Sequence, residues 1–264
     1  MTSFQAIVIA IVEGITEFLP ISSTAHMKFT NPFLGVQNDP FVDMYEVVIQ
    51  LAAILSVVIL YWKKFIDFKH ISFYIKLIIA VIPALVVGAL FKKHIDKVLD
   101  NLTVIACVML AGGIVLLFID KLFKNNIIND EERITYPKAF TIGCFQVLSI
   151  IFPGLSRSAS TIIGGMSQRL TRKLAAEFSF FLAVPTMFAA SVKSFWDVYK
   201  EHPEVLVKDN MSTLGIGALV SFIVALIAVK FFITYLQKHG FRAFGWYRIL
   251  LGAVMLFLIY SGKI

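Results

Sequence analysis

Residues 4–26 read FQAIVIAIVEGITEFLPISSTAH. The stretch opens like a membrane helix, but only about 15 apolar-patterned residues precede Pro20, and a bilayer core needs roughly 20. It carries two carboxylates, Glu13 and Glu17, and runs past the proline into Ser22, Ser23, Thr24 and His26. Such a segment reads as a re-entrant helix that enters the bilayer, breaks and turns back. A broken backbone at membrane depth is tolerated only where it is buried in protein or lines a wet cavity. The stretch therefore predicts a packed helical membrane protein with a polar site at the break.

The rest of the chain fits that frame. Of 264 residues, 58% are hydrophobic and 16% charged, against about 45–50% and 25% in soluble domains. Spans are expected at 44–62, 73–91, 103–119, 174–192, 214–236 and 247–260, the last extending back toward Phe241. A second short apolar segment, 138–152, also ends in a proline, Pro153, and is followed by PGLSRSAST (153–161). The expected fold is an all-α polytopic membrane protein with six or more transmembrane helices plus re-entrant helix pairs. It forms a single integral membrane domain, 1–264, built from internal repeats at about 1–124 and 138–264. Three spans in each half would invert the second half relative to the first.

The net charge is +7, with Lys and Arg grouped between apolar runs at Lys63-Lys64, Lys92-Lys93, Lys121 to Lys124 and Arg169 to Lys173. Loops beside an anionic membrane surface have this character. These cations divide almost evenly between the two sets of loops, so charge bias does not orient the chain. No basic stripe with interleaved aromatics is present, which argues against nucleic acid as a partner. Residues 1–18 have no basic start and no small-residue cleavage motif and do not read as a cleaved signal peptide. Cys107 and Cys144 lie within apolar segments and read as small buried hydrophobes.

The polar residues at the two breaks suggest a reaction. Glu13 and Glu17 stand four apart and share a helix face. A carboxylate at mid-bilayer depth costs about 2.5–3.5 kcal/mol on insertion scales, so the pair calls for a shared proton, an arginine or a divalent cation. His26, four after Ser22 and three after Ser23, is placed to sit beside either hydroxyl, the arrangement that activates a nucleophile. In the second break, Arg157 stands among Ser156, Ser158, Ser160 and Thr161, at an expected helix start. Free backbone N–H groups, a guanidinium fork and hydroxyls make a phosphate cradle. Glu46 with Gln50, and Glu177 in the second half, are further ionisable or polar groups inside spans. Together these parts describe phosphoryl transfer on a membrane lipid. The rival reading is a transporter or flippase of a phosphorylated lipid, which has no need of a nucleophile beside a base.

EGITEFLPISSTAH (13–26) closely resembles the E-G-x-T-E-F-L-P-[IV]-S-S-T-G-H signature of bacterial undecaprenyl-diphosphate phosphatases, the bacitracin-resistance family, and PGLSRSAST resembles that family's P-G-x-S-R-S-G-x-T. EVVIQLAAILSV and EFSFFLAVP also resemble family segments. Ala25 and Ala159 depart from the pattern, each standing where the family has glycine. The second box of the other membrane lipid phosphatase superfamily is missing, since no histidine follows Arg157 until His202. The resemblance implies hydrolysis of undecaprenyl diphosphate, recycling of the lipid carrier for peptidoglycan synthesis, and bacitracin resistance. It implies Glu13, Glu17, Ser23, His26 and Arg157 as catalytic, and Ser22, Thr24, Ser156, Ser158 and Thr161 as phosphate contacts. A divalent cation, Mg²⁺ or Ca²⁺, is expected on Glu13 and Glu17. The expected setting is the bacterial cell membrane, among membrane lipids, with a polyprenyl diphosphate substrate, the site toward the extracytoplasmic side, and association as a homodimer.

Overall fold

The computed structural model describes residues 1–66, 71–91, 98–99 and 101–264. Lys92-Lys93 lie outside the described residues. The helices in order are α1 (Ser3–Thr16), α2 (Ser23–Leu34), α3 (Pro40–Leu60), the single turn α4 (Trp62–Ile66), α5 (Ile71–Leu90), α6 (Leu102–Leu122), α7 (Tyr136–Ile151), α8 (Arg157–Ser167), α9 (Arg172–Glu201), α10 (Lys208–His239) and α11 (Arg242–Tyr260). Single-turn 3₁₀ helices lie between them at Glu131–Arg133 and Pro203–Val205. Among the described residues, six helices are long and apolar enough to cross a membrane: α3, α5, α6, α9, α10 and α11. The protein is an all-α, multi-pass membrane protein. The two short apolar segments are the short helices α1 and α7, each followed by a break and a second short helix.

Local chemistry sets the helix starts. The Asp39 carboxylate accepts from Val42 N at 2.9 Å, with Pro40 in the first turn of α3, where its missing N–H costs nothing. Thr2 and Gln5 close a reciprocal capping box on α1. Gly154 follows Pro153 at φ +94, and a Cβ there would meet Ile105 O at 2.6 Å, so only glycine fits the second break.

The short helices are each gripped by a long one. α1 packs on α10, and α7 packs on α5, while α3 lies against α9 and α6 against α11. A glycine permits both grips. A Cβ at Gly14 would approach Ser221 O to 2.8 Å, and one at Gly143 would approach Ala80 O to 2.2 Å. Gly143→Val is therefore expected to destabilise the fold by about 1–3 kcal/mol, the usual cost of overpacking. Thermal unfolding in detergent would register the loss. Gly88→Ala, which meets nothing within 4 Å, should leave the midpoint in place.

The outer surface is apolar, with Ile78, Leu85, Ile227, Phe231, Leu250 and Phe257 all exposed, as a lipid-facing surface requires. Cys107 and Cys144 are exposed on this surface, not buried as the sequence suggests. In a membrane protein the outer surface is as apolar as the core, so an apolar neighbourhood does not report burial.

Candidate active site

The two breaks are built alike. Ser22 and Ser156, the N-caps of α2 and α8, have φ of 70 and 76, a left-handed conformation that is uncommon without glycine. Strain of this kind costs on the order of 1–3 kcal/mol per residue and collects at functional sites. Each hydroxyl accepts from the backbone N–H three residues on, Ala25 at 3.4 Å and Ala159 at 3.3 Å. Each carbonyl is bonded by the side chain four residues on, Ser22 O by His26 Nδ1 at 2.7 Å and Ser156 O by Ser160 Oγ at 3.0 Å. Both helices thus present N-terminal N–H groups and a positive dipole end at their break. Ser158 Oγ donates to Leu19 O at 3.0 Å and ties one break to the other.

Across this junction runs a chain of three side chains. Arg157 Nη2 lies 2.7 Å from Glu17 Oε1. Ser23 Oγ donates to the other carboxylate oxygen, Glu17 Oε2, at 2.5 Å. Arg157 Nη1 donates to Ser179 O at 3.4 Å, and the Ser179 hydroxyl meets Thr161 Oγ1. The ion pair joins residues 140 apart in sequence, with side chains only 13% and 6% exposed. Removing one partner of so buried a pair strands the other.

Glu13 is fully buried, and neither of its oxygens has a hydrogen-bond partner among the described residues. A carboxylate buried there, with Glu17 and Ser23 beside it, calls for a proton or a cation. No group of three His, Cys, Asp or Glu side chains forms among the described residues. Mg²⁺, however, is commonly held by one or two carboxylates together with substrate phosphate oxygens. Glu13 and Glu17 suit that role by their donor chemistry.

His26 is near Ser23 in sequence, yet their side chains are not paired. His26 Nδ1 bonds Ser22 O, and Nε2 bonds Tyr247 Oη at 2.7 Å. The hydroxyl of Ser23 is engaged by Glu17 instead, reached back across Pro20. With Nδ1–H donating to a carbonyl, Nε2 is the acceptor for the tyrosine hydroxyl. Glu46 joins a different cluster, accepting from Asn31 Nδ2 at 2.7 Å and pairing with Lys28 Nζ at 3.3 Å, while Lys28 also meets Asp43 at 3.1 Å. This cluster fastens α2 to α3. Thr24 and Gln50 are half-buried. Glu177 is 4.0 Å from Lys173 on its own helix and has Lys64 and Glu131 as charged neighbours, a different set of partners from that of Glu46. Residues that sequence reading passes over are Lys28, Asn31, Ser179, Tyr247 and the fully buried Arg248. Only Arg248 had a sequence signal, an ionisable group within the expected span 247–260.

Fold and site together define a helical integral membrane protein whose two helix breaks bring a serine, two glutamates and an arginine to one junction. Residues 6–254 match the family described as bacitracin resistance protein BacA, and the chain belongs to that family. It is 49% identical over 278 residues to an undecaprenyl-diphosphatase of Porphyromonas gingivalis, covering 99% of this chain and 98% of that one. It is 51% identical over 258 residues to one of Flavobacterium psychrophilum, with 98% and 96% covered. Against one of Bdellovibrio bacteriovorus the identity is 42% over 264 residues, with 99% and 98% covered.

Proposed function

We propose that this protein hydrolyses undecaprenyl diphosphate to undecaprenyl phosphate and inorganic phosphate, returning the lipid carrier to peptidoglycan synthesis and giving bacitracin resistance. The observation that carries this reading is the Ser23–Glu17–Arg157 chain across the two breaks. Ser23 Oγ attacks the terminal phosphorus as its proton passes to Glu17 Oε2. The bond from that phosphorus to the bridging oxygen breaks, and its electron pair leaves with the lipid monophosphate. Water then attacks the phosphoserine, releasing inorganic phosphate and restoring the hydroxyl. Arg157 and the N–H groups of α2 and α8 hold the phosphoryl oxygens, so catalysis is chiefly positioning and charge stabilisation. His26 is oriented by Ser22 O and Tyr247. Ser22, Thr24, Ser156, Ser158 and Thr161 shape the cradle. A divalent cation held by Glu13 and Glu17 would neutralise charge on the phosphates.

The reading includes an inverted repeat of about 1–124 and 138–264. It is supported by the matched serine caps and by the exchanged grips of α1 on α10 and α7 on α5. Setting in the bacterial cell membrane, a site toward the extracytoplasmic face, and homodimer formation rest on the resemblance. A transporter would not require a serine hydroxyl bonded to a carboxylate, and that bond favours the hydrolase.

Phosphate release from farnesyl diphosphate by the purified protein in detergent tests the reading. Release is expected, with EDTA abolishing it and Mg²⁺ or Ca²⁺ restoring it. Folded protein that releases no phosphate would overturn the hydrolase. Full activity in EDTA would overturn the cation role of Glu13 and Glu17.

A further inference from the structure

Arg248, on α11, has no exposed surface, and among the described residues its hydrogen bonds all go to backbone carbonyls. Nη1 donates to Pro20 O at 3.0 Å and to Leu155 O at 2.8 Å. Nη2 donates to Gly154 O at 2.9 Å, and Nε to Met109 O at 3.2 Å. Pro20 belongs to the first break, and Gly154 and Leu155 to the second. Where a helix breaks, carbonyls lose the N–H four residues on, and at membrane depth no bulk water replaces it. One planar fork supplies donors to both breaks at once.

We propose that Arg248 is a positioning residue that holds the two breaks in register, and through them Ser23 and Glu17 against Arg157. It bonds none of those three side chains. Its action runs through backbone: Pro20 lies between Glu17 and Ser23, and Leu155 stands two before Arg157. A fork with five donors in fixed directions does this, whereas a lysine offers a point charge on a flexible stem. Gly112 on α6 makes room for the fork. A Cβ there would fall 2.2 Å from Arg248 Nη2 and 3.2 Å from Leu155 Cδ1. Tyr247, the preceding residue, bonds His26, so adjacent residues of α11 serve the histidine and the breaks.

The proposal rests on the hydrolase reading for its kinetic consequence, and its structural consequence is measured separately. Two variants carry the test. Arg248→Lys keeps the charge and loses the fork. Gly112→Ala keeps the arginine and displaces its tip, so it decides the matter even where the lysine variant does not fold. Each is expected to lower kcat for farnesyl diphosphate about 100-fold, the usual cost of an ångström-scale misplacement. KM should change less than about threefold, because contacts to the lipid tail are untouched. Hydrogen exchange in peptides covering 17–25 and 153–160 should speed up together, with Gly88→Ala matching wild type in both assays. Wild-type kcat in either folded variant would overturn the proposal, as would unchanged protection of the two breaks. If wild type itself released no phosphate, the hydrolase reading would fall and the exchange data alone would decide the clamp.

Discussion

Arg157→Lys lowers kcat for prenyl diphosphate hydrolysis by about three orders of magnitude, at the lower end of the range for arginines that stabilise a transferring phosphoryl group. In the structure one terminal nitrogen of the guanidinium holds Glu17 and the other reaches Ser179 O. In the proposed reaction the same planar group also meets phosphate oxygens as charge spreads over them. A lysine ammonium cannot hold Glu17 at 2.7 Å and face a phosphate with the same geometry. Phosphate release under saturating substrate measures the effect. Activity within tenfold of wild type would mean that positive charge alone suffices at this position.

Ser23→Ala has the largest effect expected of any single change. Removing the nucleophile of a hydrolase costs up to about 10⁶ in kcat, and the alanine variant should show only a trace of phosphate release. The fold should survive, because the helix cap belongs to Ser22 and not to Ser23. Rapid quenching of wild type with labelled substrate should trap phosphate on Ser23, and the variant should trap none. Full turnover in the variant would move the attack to water or His26.

The fold was legible where the physics is local. Segment length, proline and hydroxyl-rich sequence mark both breaks, since a short apolar segment stopped by proline cannot span and its freed backbone groups need polar partners. Span edges were less legible: the apolar windows 174–192 and 214–236 stop inside α9 (Arg172–Glu201) and α10 (Lys208–His239). A hydropathy window sees the part in lipid and not the polar turns that continue beyond it.

The site was legible as residue types and not as pairings. Helical spacing puts His26 beside Ser23, yet Glu17, six residues upstream across the break, takes the serine hydroxyl. Periodicity holds within a helix and says nothing of the angle at which two helices meet. The Glu17–Arg157 contact spans 140 residues, and no local pattern encodes it. Arg248 was hidden by position, since an arginine near the end of a short span resembles one that reaches for the interface. Glu177 misleads in the opposite way. It lies inside an expected span, yet its partner at 4.0 Å is Lys173, one turn away on the same helix.

In the proposed reaction a carboxylate from the first half and an arginine from the second act as one unit on one phosphate. A double-mutant cycle tests it most directly: kcat for farnesyl diphosphate in wild type, Glu17→Gln, Arg157→Met and the double variant. Groups acting as a unit are strongly non-additive, so the double variant should be no more than about tenfold worse than the weaker single variant. A double variant whose loss is the product of the two single losses would mean that the two residues work independently and do not share one phosphate.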